Sequence, residues 1–267
     1  MSLVRFDTIS KNFAGECILE NINLRIEDGE HIGLIGRNGT GKSTIFRLIT
    51  GETEPNGGII ERMRRARVAC LAQLPQVAEG ATIMDVVMAT FAELIEQETC
   101  LRALEDRMAA GDDSIFEEYG MLHDAFEARG GYTFRTTVRQ VLQGLGFKPE
   151  EFDLPFHVLS GGQRTRLMLA LVLLADADLL LLDEPENHLD LEAREWLETY
   201  LTTNPRAVVV ISHDRQLLNA VARRIIEVER GQLYEYGGNY EYYVKQRALI
   251  REQQQKEFER QQDFIRK

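Results

Sequence analysis

The sequence predicts an α/β fold in which a mainly parallel sheet carries a phosphate-binding loop. Three segments predict it. An apolar stretch at residues 31–35 runs into G-R-N-G-T-G-K-S at 36–43, and a helical pattern follows. A second apolar stretch ends in acids, in L-L-L-L-D-E-P at 179–185, and L-S-G-G-Q at 159–163 opens another helical pattern. Strands that alternate with helices in this way are typical of a parallel sheet with its ligand site at the carboxyl edge.

The first third of the chain is predicted to be rich in strands. Strands are expected at residues 4–9, 18–27, 31–35, 59–61 and 67–71. The last two follow Gly57-Gly58 and are predicted to form a hairpin arm, so that the sheet is joined by an antiparallel β subdomain. A helix at 42–50 is expected directly after the glycine loop.

The middle of the chain changes to a helical pattern. From about 82 to 146, apolar residues recur at helical spacing with few β-branched runs, which predicts a helical subdomain at about 80–160 inserted into the sheet. The core is then expected to resume with helices at 160–174 and 191–201 and with strands at 179–183, 207–212, 224–229 and 232–236.

The C-terminal segment is predicted to be a charged helix. Residues 239–267 contain no Pro or Gly, and their apolar positions are too sparse for a helix that is stable alone. We therefore expect two regions, a nucleotide-binding domain at 1–238 and the start of a linker helix at 239–267. Because the pattern stops inside this helix, the segment is expected to continue or to pack on something else.

Composition narrows the functional classes. No apolar run approaches about 18 residues, and a secretory signal pattern is absent from the N-terminus, so a cytoplasmic protein without direct membrane insertion is expected. The net charge of −12 disfavours general nucleic-acid binding. Residues 245–267 are the exception, with seven basic side chains, among them Arg247, Arg251 and Arg260, against four acidic ones. This tail is either a phosphate-contacting segment or a solvated helix of mixed charge.

The glycine loop has the chemistry of a nucleotide triphosphate site. Its glycines permit the tight bend that directs backbone N–H groups and a helix N-terminus at phosphate oxygens. Lys42 is expected to reach the β- and γ-phosphates, and Ser43 to ligate Mg²⁺. The predicted ATP contacts in this loop are Gly36, Arg37, Asn38, Gly39, Thr40, Gly41, Lys42, Ser43 and Thr44.

Two acids and a histidine follow buried strands at the same predicted edge. Asp183 ends its strand and is expected to hold Mg²⁺. Glu184 comes next and is suited to polarise the attacking water as a general base. His213 lies just beyond the strand at 207–212 and is expected to contact the γ-phosphate.

The L-S-G-G-Q segment predicts a second anion site. Ser160 is placed to cap a helix whose first residues, Gly161, Gly162 and Gln163, expose backbone N–H groups. One chain is not expected to use both anion sites on one γ-phosphate. The sequence therefore predicts a need for a second copy of this domain.

Taken together, these motifs resemble those of the ATP-binding cassette (ABC) ATPases, from residue 3 to about residue 240. The resemblance implies a closed pair of cassettes in which the L-S-G-G-Q segment of one, called the signature, covers the nucleotide of the other. It also implies that Gln73, or less favourably Gln76, is the glutamine that links the Mg²⁺ site to the helical subdomain. Phe13 resembles the aromatic residue that stacks on adenine, with an ordinary core Phe as the alternative, and Asp190 resembles the acid that communicates between cassettes.

Three further segments resemble those of the ABC-F subfamily, whose members lack membrane domains and often act on the ribosome. These are D-E-P-E-N-H-L-D at 183–190, I-S-H-D-R at 211–215 and G-G-N-Y-E-Y-Y-V-K-Q-R from residue 237. Glu186 departs from the resemblance, since ABC-F proteins usually have Thr there; an acid beside a dimer-facing loop is expected to weaken closure or to alter its pH dependence. The single set of motifs also departs, which favours a piece of a two-cassette protein over a natural single cassette.

Three functions compete on this sequence. The first is an ATP-driven cytoplasmic factor that binds the ribosome, with RNA contacts from the linker. The alternative is the ATP-binding subunit of a membrane ABC transporter. A chromosome-associated ATPase is disfavoured, because the helical insertion is too short for long coiled coils.

Overall fold

The computed structural model describes residues 1–13, 15–70 and 77–265, with every side chain in these ranges except those of residues 113, 254, 255 and 257–265. The chain divides into two units. The sheet unit comprises Met1–Gln73, Asp176–Asn187 and Arg194–Lys267. The helical unit comprises Leu74–Ala175 and His188–Ala193.

Strands and helices alternate as an α/β fold requires. The described strands are β1 (Ser2–Phe13), β2 (Glu16–Glu27), β3 (His31–Gly36), β4 (Gly57–Arg62), β5 (Val68–Cys70), β6 (Leu179–Asp183), β7 (Ala207–Ile211), β8 (Arg224–Glu229) and β9 (Gln232–Gly237). The described α-helices are α1 (Lys42–Thr50), α2 (Ile83–Met88), α3 (Ala92–Ala109), α4 (Phe116–Ala128), α5 (Phe134–Gly144), α6 (Gly161–Leu174), α7 (Leu191–Thr203), α8 (Arg215–Val221) and α9 (Tyr240–Ile265).

Six strands form the main sheet, in the order β5-β6-β7-β3-β8-β9. All pairs are parallel except β8 with β9. Strand β6 is buried up to Asp183, and β7 is buried over its whole length. Both consist almost entirely of Leu, Val and Ile, as strands covered on both faces require. Ile211 pairs with Leu34 on one side and with Asp183 on the other. The carboxyl ends of β3, β6 and β7 therefore meet at one edge, where ligands bind in this class of sheet.

A second sheet has three antiparallel strands in the order β2-β1-β4, as the predicted antiparallel subdomain requires. The predicted hairpin between residues 59–61 and 67–71 is wrong. Phe6 of β1 pairs with Ile60 of β4, whereas Ala69 of β5 pairs in parallel with Leu180 of β6. The physical reason is that residues 63–67 contain neither Gly nor Asn for a tight hairpin turn, so each strand pairs with a partner that is distant in sequence.

The helical unit confirms the helical pattern predicted after residue 82. Thr82 and Asp85 form a capping box at the start of α2, in which each side chain accepts the other residue's backbone N–H. Helices α3, α4 and α5 share a small core, which contains Leu94, Leu101, Phe126 and Phe134. This core belongs to the helical unit alone, so the unit has its own packing.

Helix α9 begins where the sequence predicts and packs on the sheet unit itself. Tyr240, Tyr243 and Ile250 contact an apolar cluster that includes Leu218 of α8 and Tyr236 of β9. The start of α9 is thus stabilised by packing against the sheet unit. Across the described ranges, no helix combines the length and the apolar character needed to span a membrane.

Candidate nucleotide-binding site

The loop between β3 and α1 has the backbone shape of a phosphate cradle. Gly41 caps α1 with φ at 102°, and a Cβ atom there would lie 2.8 Å from Ile18 Cγ2, so that only glycine fits. Gly39 has φ at 81°, and no atom lies within 4 Å of where its Cβ would be. The first turn of α1 therefore presents backbone N–H groups that are suited to an anion. The remaining predicted loop contacts lie on the same segment, with Arg37 and Asn38 exposed and Thr40 and Thr44 half-buried.

Lys42 lies within this loop and is only 8% exposed. Its Nζ atom donates hydrogen bonds to the carbonyl oxygens of Gly36 at 2.8 Å and Arg37 at 3.0 Å. Burial lowers the pKa of Lys42, while the nearby charges of Asp183 and Glu184 act in the opposite direction. The Lys42 ammonium group is thus held by two neutral carbonyl oxygens of the loop. A charged phosphate oxygen is a stronger hydrogen-bond acceptor than these carbonyls and would displace them.

Ser43 and Asp183 meet across the edge of the sheet. The Ser43 hydroxyl, in the first turn of α1, donates a hydrogen bond of 2.9 Å to Asp183 Oδ2 at the end of β6. A hydroxyl and a carboxylate provide the oxygen ligands that Mg²⁺ prefers, and Mg²⁺ characteristically takes its other ligands from water and phosphate. These residues therefore fit the ion that the sequence predicts.

Glu184 and His213 also lie together at this edge. The Glu184 Oε1 atom is 3.6 Å from His213 Nε2, and both side chains are substantially exposed. The Glu184 backbone has φ at 48° and donates its N–H to the Ile211 carbonyl at 2.8 Å, while Asn187 Nδ2 donates to Glu184 Oε2 at 2.8 Å. A left-handed backbone at a residue other than glycine is strained, and such strain is concentrated at functional sites.

Glu186, the residue that departs from the ABC-F resemblance, is buried. Its side chain is 8% exposed, and its Oε1 atom contacts the loop after β7. Sequence reasoning missed this arrangement, since the hydroxyl and N–H donors lie 26 to 28 residues further along the chain.

The signature segment, L-S-G-G-Q at 159–163, lies in the helical unit at the start of α6. The Ser160 hydroxyl accepts the Gln163 N–H at 3.3 Å, and Gln163 Oε1 accepts the Ser160 N–H at 3.0 Å, which forms a capping box. Gly161 has open space at its Cβ position, and a Cβ on Gly162 would lie 3.5 Å from His188. Both glycines thus leave the helix N-terminus accessible, as an anion site requires.

Three predicted site residues remain, Asp190, Phe13 and Gln73. Asp190 accepts the Ala193 N–H at 2.9 Å and so caps α7. Phe13 is 43% exposed at the end of β1, with Lys11 Nζ 5.1 Å from its ring centroid, so it is not an ordinary core residue. Gln73 and the alternative Gln76 lie outside the described residues.

Comparisons with known proteins indicate the family and the fold of the chain. A family model described as "ABC transporter" matches residues 19–187, and another with the same description matches residues 226–267. The putative ATP-binding protein YdiF of Bacillus subtilis is 39% identical over all of this chain and 42% of its own length. "ABC transporter F family member 2" of Arabidopsis thaliana is 36% identical over 98% of this chain and 40% of its own. The "energy-dependent translational throttle protein EttA" of Mycobacterium tuberculosis is 34% identical over 90% of this chain and 43% of its own.

The chain therefore spans about two fifths of the length of these curated relatives. Solved structures confirm the predicted fold. One, titled "Structure of ATP binding subunit of ABC transporter", matches with a TM-score of 0.64 at 20% identity, over 92% of this chain and 94% of that chain. The "dimeric structure of a post-hydrolysis state of the ATP-binding cassette MJ0796 bound to ADP and Pi" matches with a TM-score of 0.61 at 21% identity, over 88% and 98%.

Proposed function

The chain belongs to the ABC transporter family, and we propose that it is the ATP-hydrolysing cassette of a cytoplasmic ABC-F protein that acts in translation. Cassettes of this family bind ATP and are ATPases. The observation that carries the site proposal is the hydrogen bond of 2.9 Å between Ser43 and Asp183, which brings the phosphate loop to the acid of β6.

Each residue of the sheet edge has a definite task in this proposal. The loop N–H groups and Lys42 bind the β- and γ-phosphates, and Ser43 and Asp183 hold Mg²⁺, with Gln73 as a further ligand. The metal supplies neutralisation of phosphate charge. Glu184 accepts a proton from the attacking water, and His213 contacts the γ-phosphate. Phe13 stacks on the adenine ring.

A second cassette completes the site. The N-terminus of α6, with Ser160, Gly161, Gly162 and Gln163, binds the γ-phosphate of a nucleotide held by the partner, and Asp190 lies at the contact between the two. The support is that α6 presents a second accessible anion site and that similar cassettes are described as dimeric. Turnover per molecule is therefore expected to fall on dilution, and a rate independent of concentration far below the dimer dissociation constant would contradict this.

The translational role is supported by the relatives. One is described as a translational throttle and two as ABC transporter F family members. The alternative, a transporter motor subunit, is supported by the solved cassette whose title names an ABC transporter. Affinity purification of the protein with bound ATP distinguishes the two, because ribosomal RNA is expected to co-purify in the first case and an integral membrane protein in the second.

A further inference from the structure

The Glu186 carboxylate holds the backbone of the loop that follows β7. Its Oε1 atom accepts hydrogen bonds from the Ser212 hydroxyl at 2.5 Å, from the His213 N–H at 3.2 Å and from the Asp214 N–H at 3.4 Å. One oxygen atom thus binds three consecutive residues, with His213 in the middle. Glu186 and Ser212 are 8% and 3% exposed, so water competes little for these bonds.

Two further contacts limit the freedom of this loop. The Ser212 hydroxyl accepts the Asp214 N–H at 2.8 Å. The Asp214 carboxylate in turn caps α8 and accepts the N–H groups of Gln216 at 2.8 Å and Leu217 at 3.3 Å. The loop is therefore fixed between the end of β7 and the first turn of α8.

The same loop carries the side chain that faces Glu184. The acids at 184 and 186 both reach residue 213, the first at its imidazole ring and the second at its backbone N–H. We propose that Glu186 is a positioning residue, which keeps the His213 ring against Glu184 during ATP hydrolysis. This inference rests on the roles proposed above for Glu184 and His213.

The chemistry of Glu186 favours such a role over passive filling of space. A buried carboxylate is costly unless it accepts several hydrogen bonds, and bonds from N–H or O–H donors to an ionised acid are stronger than those to a neutral acceptor. Glu186 Oε2 is buried without a hydrogen-bond partner among the described residues. Burial of Oε2 is therefore uncompensated, while Oε1 restrains the loop that carries His213.

The test compares two substitutions of similar length. Glu186→Met removes the acceptor, and Glu186→Gln keeps a carbonyl oxygen. Because small displacements of a reacting group cost up to about 100-fold in rate, we expect Glu186→Met to lower kcat for ATP by about 10- to 100-fold with KM little changed. Glu186→Gln should retain most of the rate. Glu227→Ala removes an acid that is equally buried, on β8, and controls for general loss of stability.

Coupling to the histidine separates positioning from simple support of the fold. If Glu186 acts through His213, the double variant Glu186→Met/His213→Ala should be no slower than His213→Ala alone, whereas independent effects would multiply. In the nucleotide-free chain, amide hydrogen exchange at His213 and Asp214 should accelerate in Glu186→Met and stay near the wild-type rate in Glu186→Gln. Should Glu186→Met not fold, Ser212→Ala is expected to shift kcat and exchange in the same direction.

The outcomes are distinguishable. Unchanged turnover in both Glu184→Gln and His213→Ala would overturn the proposed function. Slower turnover in those two variants, with an unchanged kcat or a multiplicative effect for Glu186→Met, would overturn only the role of Glu186. Unchanged amide exchange at residues 213 and 214 in Glu186→Met would also overturn the role of Glu186.

Discussion

The Nε atom of Arg247 on α9 lies 3.1 Å from Oε2 of Glu227 on β8, and both side chains are about nine-tenths buried. The same guanidinium also pairs with Glu229, and the Tyr243 hydroxyl donates a hydrogen bond of 3.1 Å to Glu227 Oε1. The start of α9 is therefore fastened to the sheet unit by a buried charged cluster. The sequence groups Arg247 with the basic residues of the tail, but its charge is neutralised inside the protein.

Arg247→Ala is expected to destabilise the protein. Removing one partner of a buried ion pair leaves Glu227 without its counter-charge, which typically costs about 3–5 kcal/mol. The loss should appear as a lower midpoint in urea unfolding. Arg251→Ala, at an exposed position of the same helix, is the matched control and should shift the midpoint little. Equal effects of the two variants would show that the pair does not hold α9.

The hydroxyl of Tyr243 gives this cluster a pH dependence at the alkaline end. Burial, and then the charge of Glu227, raises the pKa of Tyr243 above its ordinary value. A tyrosine in the unfolded chain ionises near pH 10, so the stability from this group is fully present below about pH 10 and is lost as the pH rises further.

We therefore expect Tyr243→Phe to lose less stability than the wild type when urea unfolding is compared at pH 8 and pH 11. Tyr242→Phe, at an exposed site one residue away, should behave as the wild type. If Tyr243→Phe and the wild type lose stability equally, Tyr243 does not carry this dependence.

The parts of the fold that the sequence predicts are those with a strong local signal. The short apolar runs of β6 and β7 predict buried strands, and the glycine loop marks the change from β3 to α1. Helix α8 is not predicted, because seven residues show too little periodicity, although Asp214 before it is a recognisable N-cap. The pairing of β4 with β1 and of β5 with β6 joins strands that are distant in sequence, and such pairing leaves no local signal in the sequence.

The candidate site divides in the same way. Ser43 and Asp183 are predicted from motifs whose spacing relative to a strand defines where their side chains emerge. The burial of Glu186 is not predictable, since an acid within a polar motif is ordinarily exposed and its partners are defined only by the packing of β6 beside β7.

Glu184→Gln is expected to preserve ATP binding and to lower hydrolysis by about 10²- to 10⁴-fold, because the amide keeps the shape of the side chain but does not accept a proton. Lys42→Ala should instead weaken ATP binding, since it removes the cation of the loop. Equilibrium binding and single-turnover assays separate these effects. Glu195→Gln, an exposed acid on α7, is the control. Hydrolysis at the wild-type rate in Glu184→Gln would remove Glu184 from the mechanism.

The last prediction concerns ribosome binding through α9, and the structure changes which residues should be tested. Arg247 is unsuitable because it is buried, and the side chain of Arg260 lies outside the described part of the chain. Lys245 and Arg251 are exposed and are available for phosphate contacts. Reversing both to Glu should weaken co-sedimentation with ribosomes and reduce the slope of log affinity against log salt by about 2, because fewer counterions are released.

Arg5→Glu combined with Arg25→Glu makes the same change in net charge on exposed residues of the three-stranded sheet. If α9 makes the contacts, this control should leave the salt slope near its wild-type value, and ATP binding should be unchanged in both double variants. Equal weakening by the two pairs would indicate a general effect of net charge. An unchanged slope for Lys245→Glu/Arg251→Glu would instead assign α9 the role of a spacer, since phosphate contacts made by these side chains cannot be lost without a change in counterion release.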